Sequence, residues 1–388
     1  MRKVKWDAFL SGLCGLAVVL GVVAPAVHAD VTTEKGASIL VFPKVRANST
    51  FDTVIQITNT GNSMVHAHCF YVDASLHSVL SGQPCSVPSA TCVPAWQEID
   101  FTIWLTKQQP THWLASSGRN VNPLDGFGGD GSGFDPGRVP PLSDFEGELK
   151  CFEVSASGEP ITGNHLKGEA TLKVIATTAG TSIADPGTTA GDVSKYNAVG
   201  ILGNPDVQPA NPLLLDGNEY QACPEKLILN HFATGAADPV AAALGGAVTS
   251  SSVATELTLV PCSEDFENQI PTTVTVQYLI YNELEQRFSG STTVTCFLST
   301  ELTAIDSPTA PERSTFSRGL LGTDVAQMEI TPVVNVDGTT HAVIGVAERI
   351  ISASTSSTKV SARAAYNLHT VGDLIPATGP DQIRLVGE

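Results

Sequence analysis

The sequence is poor in positive charge. It has 21 Lys and Arg against 39 Asp and Glu, a formal net charge of −18. A surface of that sign repels phosphate backbones and anionic headgroups, so nucleic acid is excluded as an expected partner. Local signatures of common catalytic sites are missing as well. There is no G-x-S-x-G elbow, no H-E-x-x-H, no P-loop and no G-x-G-x-x-G opening a helix. The Ser-x-x-Lys spacing within STSSTK (354–359) falls on an expected strand, not on the helix start that such chemistry needs. The expectation is a protein that is not an enzyme.

Long apolar runs are confined to the N-terminus. Arg2, Lys3 and Lys5 precede an apolar stretch from about Ala8 to Ala24, closed by Pro25 and followed by Val27-His28-Ala29. This is the layout of a secretory signal over residues 1–29, cleaved after Ala29. No later stretch reaches 18 consecutive apolar residues, so no membrane insertion is expected after cleavage. The protein is expected to be exported, to the periplasm, the cell surface or the medium.

Glycine (34) and proline (24) are plentiful, Thr, Ser and Val are abundant, and Lys and Glu are few. Short strands separated by turns suit that composition. Several segments alternate apolar and polar residues, as strands with one buried face must. Val274, Val276, Tyr278 and Ile280 alternate with Thr275 and Gln277; Ile99, Phe101, Ile103 and Leu105 alternate with Glu98, Asp100 and Thr102. Two long segments also share an order of landmarks. Residues 40–73 and 257–299 each run from an apolar stretch ending in Pro (Pro43, Pro261), through a strand opening Thr-Val, to a strand ending Cys-Phe (Cys69-Phe70, Cys296-Phe297). An internal duplication is expected. It predicts an all-β chain of two antiparallel β-sandwich domains: residues 30–230, with long loop insertions, and 253–388, joined by an Ala/Gly/Ser-rich linker over 231–252. The ITNTGN turn (57–62) resembles turns of secreted bacterial surface proteins with immunoglobulin-like domains. That resemblance implies the sandwich fold and no particular activity.

Of eight cysteines, Cys14 lies in the signal segment. In an exported chain the other seven are expected mostly as disulfides. Cys85 pairs with Cys92 across a short loop, and Cys262 with Cys296 because both fall in the second copy. Cys69 then takes Cys151, each being followed by Phe on a strand, and Cys223 is left unpaired.

Three constellations invite a functional interpretation. In VHAHCFYVD (65–73), His66 and His68 share a strand face and could hold a metal, with His112 or His165 as a third ligand. Against that, the second copy has Thr293 and Thr295 at the matching positions, which favours an exposed polar face. In DGFGGDGSGFDPG (125–137), Asp125, Asp130 and Asp135 are spaced among glycines, as a calcium loop requires and as a flexible acidic loop also allows. Trp96, Trp104 and Trp113 cluster in sequence, and Trp96 and Trp104 share the parity of Glu98 and Asp100. Such tryptophans serve as core, as an assembly surface or as a platform for sugar rings.

These features together predict a non-enzymatic exported protein of the cell surface or periplasm, structural or partner-binding, associating with itself or with another surface protein. The alternative is a glycan-binding or metal-binding periplasmic protein centred on Trp96, Trp104, His66 and His68. No cofactor beyond calcium is expected.

Overall fold

The computed structural model describes residues 31–85, 89–121, 134–176, 191–237, 250–354, 359–376 and 379–386. The signal segment therefore lies outside the described residues, as do Asp125 and Asp130. Strand makes up 56% of the chain and helix 4%. Among the described residues the strands form five sheets of three to five strands and one two-stranded ribbon.

Sheet one has the order Val199–Ile201, Ile39–Ala47, Phe145–Val154, Val65–Asp73, Gln97–Leu105. Sheet two runs Val193–Asn197, Leu166–Val174, Phe51–Asn59, Pro110–Leu114. Sheet three is small: Leu213–Leu215, Asp381–Arg384, Glu264–Asp265. Sheet four runs Arg287–Thr295, Thr273–Asn282, Val325–Val333, Pro224–Phe232, His369–Asp373. Sheet five runs Leu298–Glu301, Ser250–Pro261, Val343–Ser354, Lys359–Asn367. Pairing is antiparallel except between Glu264–Asp265 and Asp381–Arg384.

The all-β expectation stands, but the expectation of two immunoglobulin-like sandwich domains is corrected. The small sheets make a five-bladed, propeller-like arrangement. Each blade draws its strands from distant parts of the chain instead of from one consecutive meander. Sheet three brings residues 213–215, 264–265 and 381–384 together, and Pro224–Phe232, counted with the first copy, hydrogen-bonds to Val325–Val333 and His369–Asp373. Alternation reports which face of a strand is buried; it carries no information about which strand lies alongside. That is why strand positions were legible and their grouping was not.

Three apolar cores hold the sheets. The first lies between sheets one and two and contains Leu40, Phe42, Ile55, Tyr71, Leu149 and Leu172. The third lies between sheets four and five, around Leu229, Tyr278, Met328 and Leu257. The second unites both ends of the chain: Ile39, Phe70 and Phe152 of sheet one meet Phe266, Ile344 and Ile383. The Phe70 and Phe266 rings stack with centroids 4.4 Å apart. Ile39–Ala47 and Val65–Asp73 are consequently buried on both faces along their whole length. Each large side chain so buried contributes roughly 1.5–3 kcal/mol.

The segments aligned as copies pair differently. Phe51–Asn59 and Val65–Asp73 belong to separate sheets, whereas Thr273–Asn282 and Arg287–Thr295 form one hairpin.

Candidate functional site

Along VHAHCFYVD the residues Val65, Ala67, Cys69 and Tyr71 enter the first core, and the opposite side carries His66, His68, Phe70 and Val72. That opposite side is covered. His66 and His68 are 7% and 5% exposed, which corrects the expectation of an exposed polar face. The His66 ring lies flat on Trp104, with centroids 4.0 Å apart and planes 6° from parallel. Its Nδ1 is 3.1 Å from the Ser155 carbonyl oxygen, an acceptor, so Nδ1 carries the proton and donates. His68 instead packs on Phe70 and places Nε2 3.2 Å from Asp100 Oδ2. The two imidazoles therefore serve different partners. His112 is exposed on sheet two, and His165 Nδ1 lies 2.7 Å from Glu153 Oε1, so neither joins them. Among the described residues one metal-spaced triple occurs, Cys223, Cys262 and Asp381, and its two sulfurs are bonded to each other.

The three tryptophans have different surroundings. Trp113 is a core residue whose indole Nε1–H donates to Tyr71 Oη at 2.7 Å. Trp104 is half-buried against His66, and its backbone N–H donates to the Pro136 carbonyl of the adjoining loop. Trp96 packs against the second core with φ of 48°. Asp135, the one described member of the expected calcium trio, pairs with Arg119 and accepts from the Gly137 N–H.

Three disulfides form: Cys69–Cys151, Cys85–Cys92 and Cys223–Cys262. The expected Cys262–Cys296 pair is corrected: Cys262 bonds Cys223, and Cys296 is the free, buried thiol. The cause is topological. Cys223 leads directly into Pro224–Phe232, a strand of sheet four, and so is carried to within 6.5 Å of Cys262 (Cα to Cα). Burial pushes the Cys296 thiol up, which makes it a poor nucleophile.

Sequence inspection missed two buried ionic clusters. In the first, Lys44 and Arg46 of sheet one meet Glu256 and Glu348 of sheet five. Lys44 Nζ is 2.9 Å from Glu256 Oε1 and 2.6 Å from Glu348 Oε2. Arg46 pairs with Glu146 and Glu256, and Arg363 Nη2 lies 2.7 Å from Glu256 Oε2. Three cations thus balance three carboxylates. Burial by itself would raise the Glu348 carboxyl, but Lys44 and Arg363 outweigh it and bring it to about 2. The available signal was a Lys and an Arg inside the apolar run ILVFPKVRA (39–47).

The second cluster surrounds Lys150. Its ammonium reaches Glu264 Oε2 at 2.6 Å, the Pro261 carbonyl at 3.1 Å and Glu148 Oε1 at 3.2 Å, with Lys150 and Glu148 fully buried and Glu264 nearly so. Here one amine faces two carboxyls. Burial pushes Glu148 up to about 8 despite the pull of Lys150, with Glu264 adding to the rise. Glu98 is raised to about 8 by burial and by Glu264 and Asp265.

On the surface, a cavity of about 400 Å³ is lined by residues that include Asn230, His231, Phe232, Tyr281, Gln327 and Arg349. The Arg349 guanidinium lies over Phe232 at 4.7 Å, and its Nε is buried without a hydrogen-bond partner among the described residues. Burial lowers His231 to about 4, so its imidazole is neutral at physiological pH. Its Nδ1 donates to the Phe232 carbonyl, which leaves Nε2 an acceptor with no partner among the described residues. Such a cavity can hold a carboxylate against the guanidinium with a flat group on the ring. No known family model matches the sequence, and no curated protein matches it.

Proposed function

We propose that the protein is an exported, non-catalytic protein that works by engaging a protein partner through a sheet edge. The supporting observation is the strand Arg287–Thr295, which ends sheet four. It pairs along its whole length with Thr273–Asn282 on one side, and among the described residues no strand lies on the other. Its sequence, RFSGSTTVT, has no proline and one charge, so it carries few of the devices that usually blunt an edge. Arg287, Ser289, Ser291 and Thr293 face outward and are exposed. An incoming strand would take main-chain hydrogen bonds from this edge and read its hydroxyl face. Three disulfides, and the lack of any described helix long and apolar enough to cross a membrane, accord with work outside the cytoplasm.

Sedimentation of the purified chain across a concentration series tests this reading together with capture by proteins of the same envelope. Self-association or capture that is lost in Ser291→Pro, with the Tm of the monomer kept, supports it. A strictly monomeric chain whose capture is unaffected by that substitution sinks it.

A second reading is favoured by the Arg349 cavity: recognition of an acidic sugar. Glucuronate would raise Tm where glucose does not, and Arg349→Gln would remove the difference.

A further inference from the structure

We propose that Lys150 and Glu264 become joined by a side-chain amide that links the first half of the chain covalently to the second. Lys150 stands on Phe145–Val154 of sheet one; Glu264 belongs to sheet three, 114 residues further on. Glu148, two residues before Lys150, points to the same side of its strand. The Lys150 nitrogen is held by three acceptors, Glu264, Glu148 and the Pro261 carbonyl. With Glu264 Oε2 at 2.6 Å, the amine is already in contact with the carboxyl group it would attack, whose carbon lies one bond beyond that oxygen.

Comparison with Lys44 shows what is unusual. Around Lys44, two arginines keep both neighbouring glutamates ionised, and the charges balance. A plain ion pair is the stable outcome there. Around Lys150, among the described residues, no arginine is paired with the cluster and one carboxyl is surplus. Raised to about 8 by burial, Glu148 is mainly the neutral acid at physiological pH, and among the described residues its Oε2 is buried without a hydrogen-bond partner. An amine, a carboxylate and a carboxylic acid thus share one buried site, beside the Cys296 thiol, whose Sγ lies 3.7 Å from Glu264 Oε1.

The step balances without any oxidant or co-reactant. The Lys150 ammonium passes a proton to the Glu264 carboxylate, and the freed amine attacks the Glu264 carboxyl carbon, forming the carbon–nitrogen bond. Glu148 gives its proton to the departing hydroxyl, the carbon–oxygen bond breaks, and water leaves. Glu148 then recovers a proton from the nitrogen and ends as it began, a neutral acid. Condensation is unfavourable between separate molecules in water. Effective concentrations for well-oriented groups reach about 10⁵–10⁸ M, and the desolvated ion pair that is consumed costs several kcal/mol to bury, so both effects push toward the amide. The bond would run beside the Cys223–Cys262 disulfide and reinforce the junction around the second core.

Intact mass of the purified, exported protein, reduced and denatured, reads the outcome directly. The expected result is a mass short of the sequence mass by one water. Tryptic digestion should place the deficit in a branched peptide that contains Lys150 and Glu264 and is uncleaved after Lys150. Lys150→Arg should restore the full mass, and Glu148→Gln should slow or abolish the loss. A wild-type protein of full mass, with Lys150 recovered at the end of a linear tryptic peptide, overturns the proposal. The wild-type measurement alone decides, so a variant that fails to fold does not blur the result.

Discussion

Lys44 Nζ lies 2.6 Å from Glu348 Oε2, and both side chains are buried. The pair ties Ile39–Ala47 of sheet one to Val343–Ser354, an inner strand of sheet five, with Ser194 donating to the other Glu348 oxygen at 2.8 Å. An uncompensated charge at such a place is costly, because the desolvation penalty remains after the attraction is lost. Lys44→Met should therefore lower stability by about 3–5 kcal/mol in urea unfolding, with Arg46 and Arg363 pulling the figure toward the lower end. Lys44→Met combined with Glu348→Leu should cost clearly less than the sum of the two single changes. Additive losses would mean that the pair is not coupled.

The two clusters predict opposite dependences on pH. Glu148 moves from 4.5 to about 8 on folding, burial being the main cause, so the folded state binds a proton that the unfolded chain has released. Its contribution is complete below pH 4.5 and is lost as pH rises through about 8. Glu98, also raised to about 8, acts in the same direction. Glu348 moves down to about 2, so its contribution is present above 4.5 and disappears as pH falls through about 2. His231, lowered to about 4 by burial, also favours the folded state only as pH rises through the interval up to 6.5. Above that value the raised carboxyls set the slope, joined toward pH 9 by the raised Cys296 thiol in the same direction, so Tm should fall between about pH 6.5 and about pH 9. Glu148→Gln should flatten that limb; an unchanged slope would refute the assignment.

How much of this was legible beforehand differs from residue to residue. Val274, Val276, Tyr278 and Ile280 are all buried, as their spacing required, because alternation is a local property of a strand. His66 and His68 could not be placed, because their partners come from other parts of the chain, Trp104 and the loop at Ser155 for His66 and Asp100 for His68. Matching them to Thr293 and Thr295 failed for the same reason: Thr293 is exposed on an edge strand, while His66 sits in an inner strand of sheet one. Cys262 found Cys223 only because strand pairing carried Cys223 into the second half. Lys44 stands out only by its place in an apolar run, and the carboxylates across the sheets from Lys44 and Lys150, Glu348 and Glu264, lie more than 100 residues away.

The cysteine arrangement has a chemical readout. Denatured but unreduced protein lacking the signal segment should take up one alkylating group, at Cys296, and the folded protein none, since that thiol is buried. Replacing both Cys223 and Cys262 by Ala removes a bridge closing a 39-residue separation, worth about 4 kcal/mol in the chain-entropy model. The same change at Cys85 and Cys92, only 7 residues apart, should cost roughly 2.5 kcal/mol. Two or more labelled thiols in unreduced protein would contradict this pairing.

Trp113 and Tyr71 provide the last test, because their hydrogen bond spans the first core from sheet two to sheet one. The Tyr71 hydroxyl is held up in pKa chiefly by its burial, so it remains a neutral partner through the physiological range. Trp113→Phe removes the donor and leaves that hydroxyl buried without it, a loss of about 1–3 kcal/mol beyond the change in packing. Tyr71→Phe strands the indole N–H in the same way. With both replaced, no polar atom is left wanting. The double variant should therefore be more stable than the sum of the single losses predicts, by about 1–2 kcal/mol in a double-mutant cycle. A cycle that closes to zero would show that the bond contributes nothing, and that Trp113 holds the sheets together through its contact area alone.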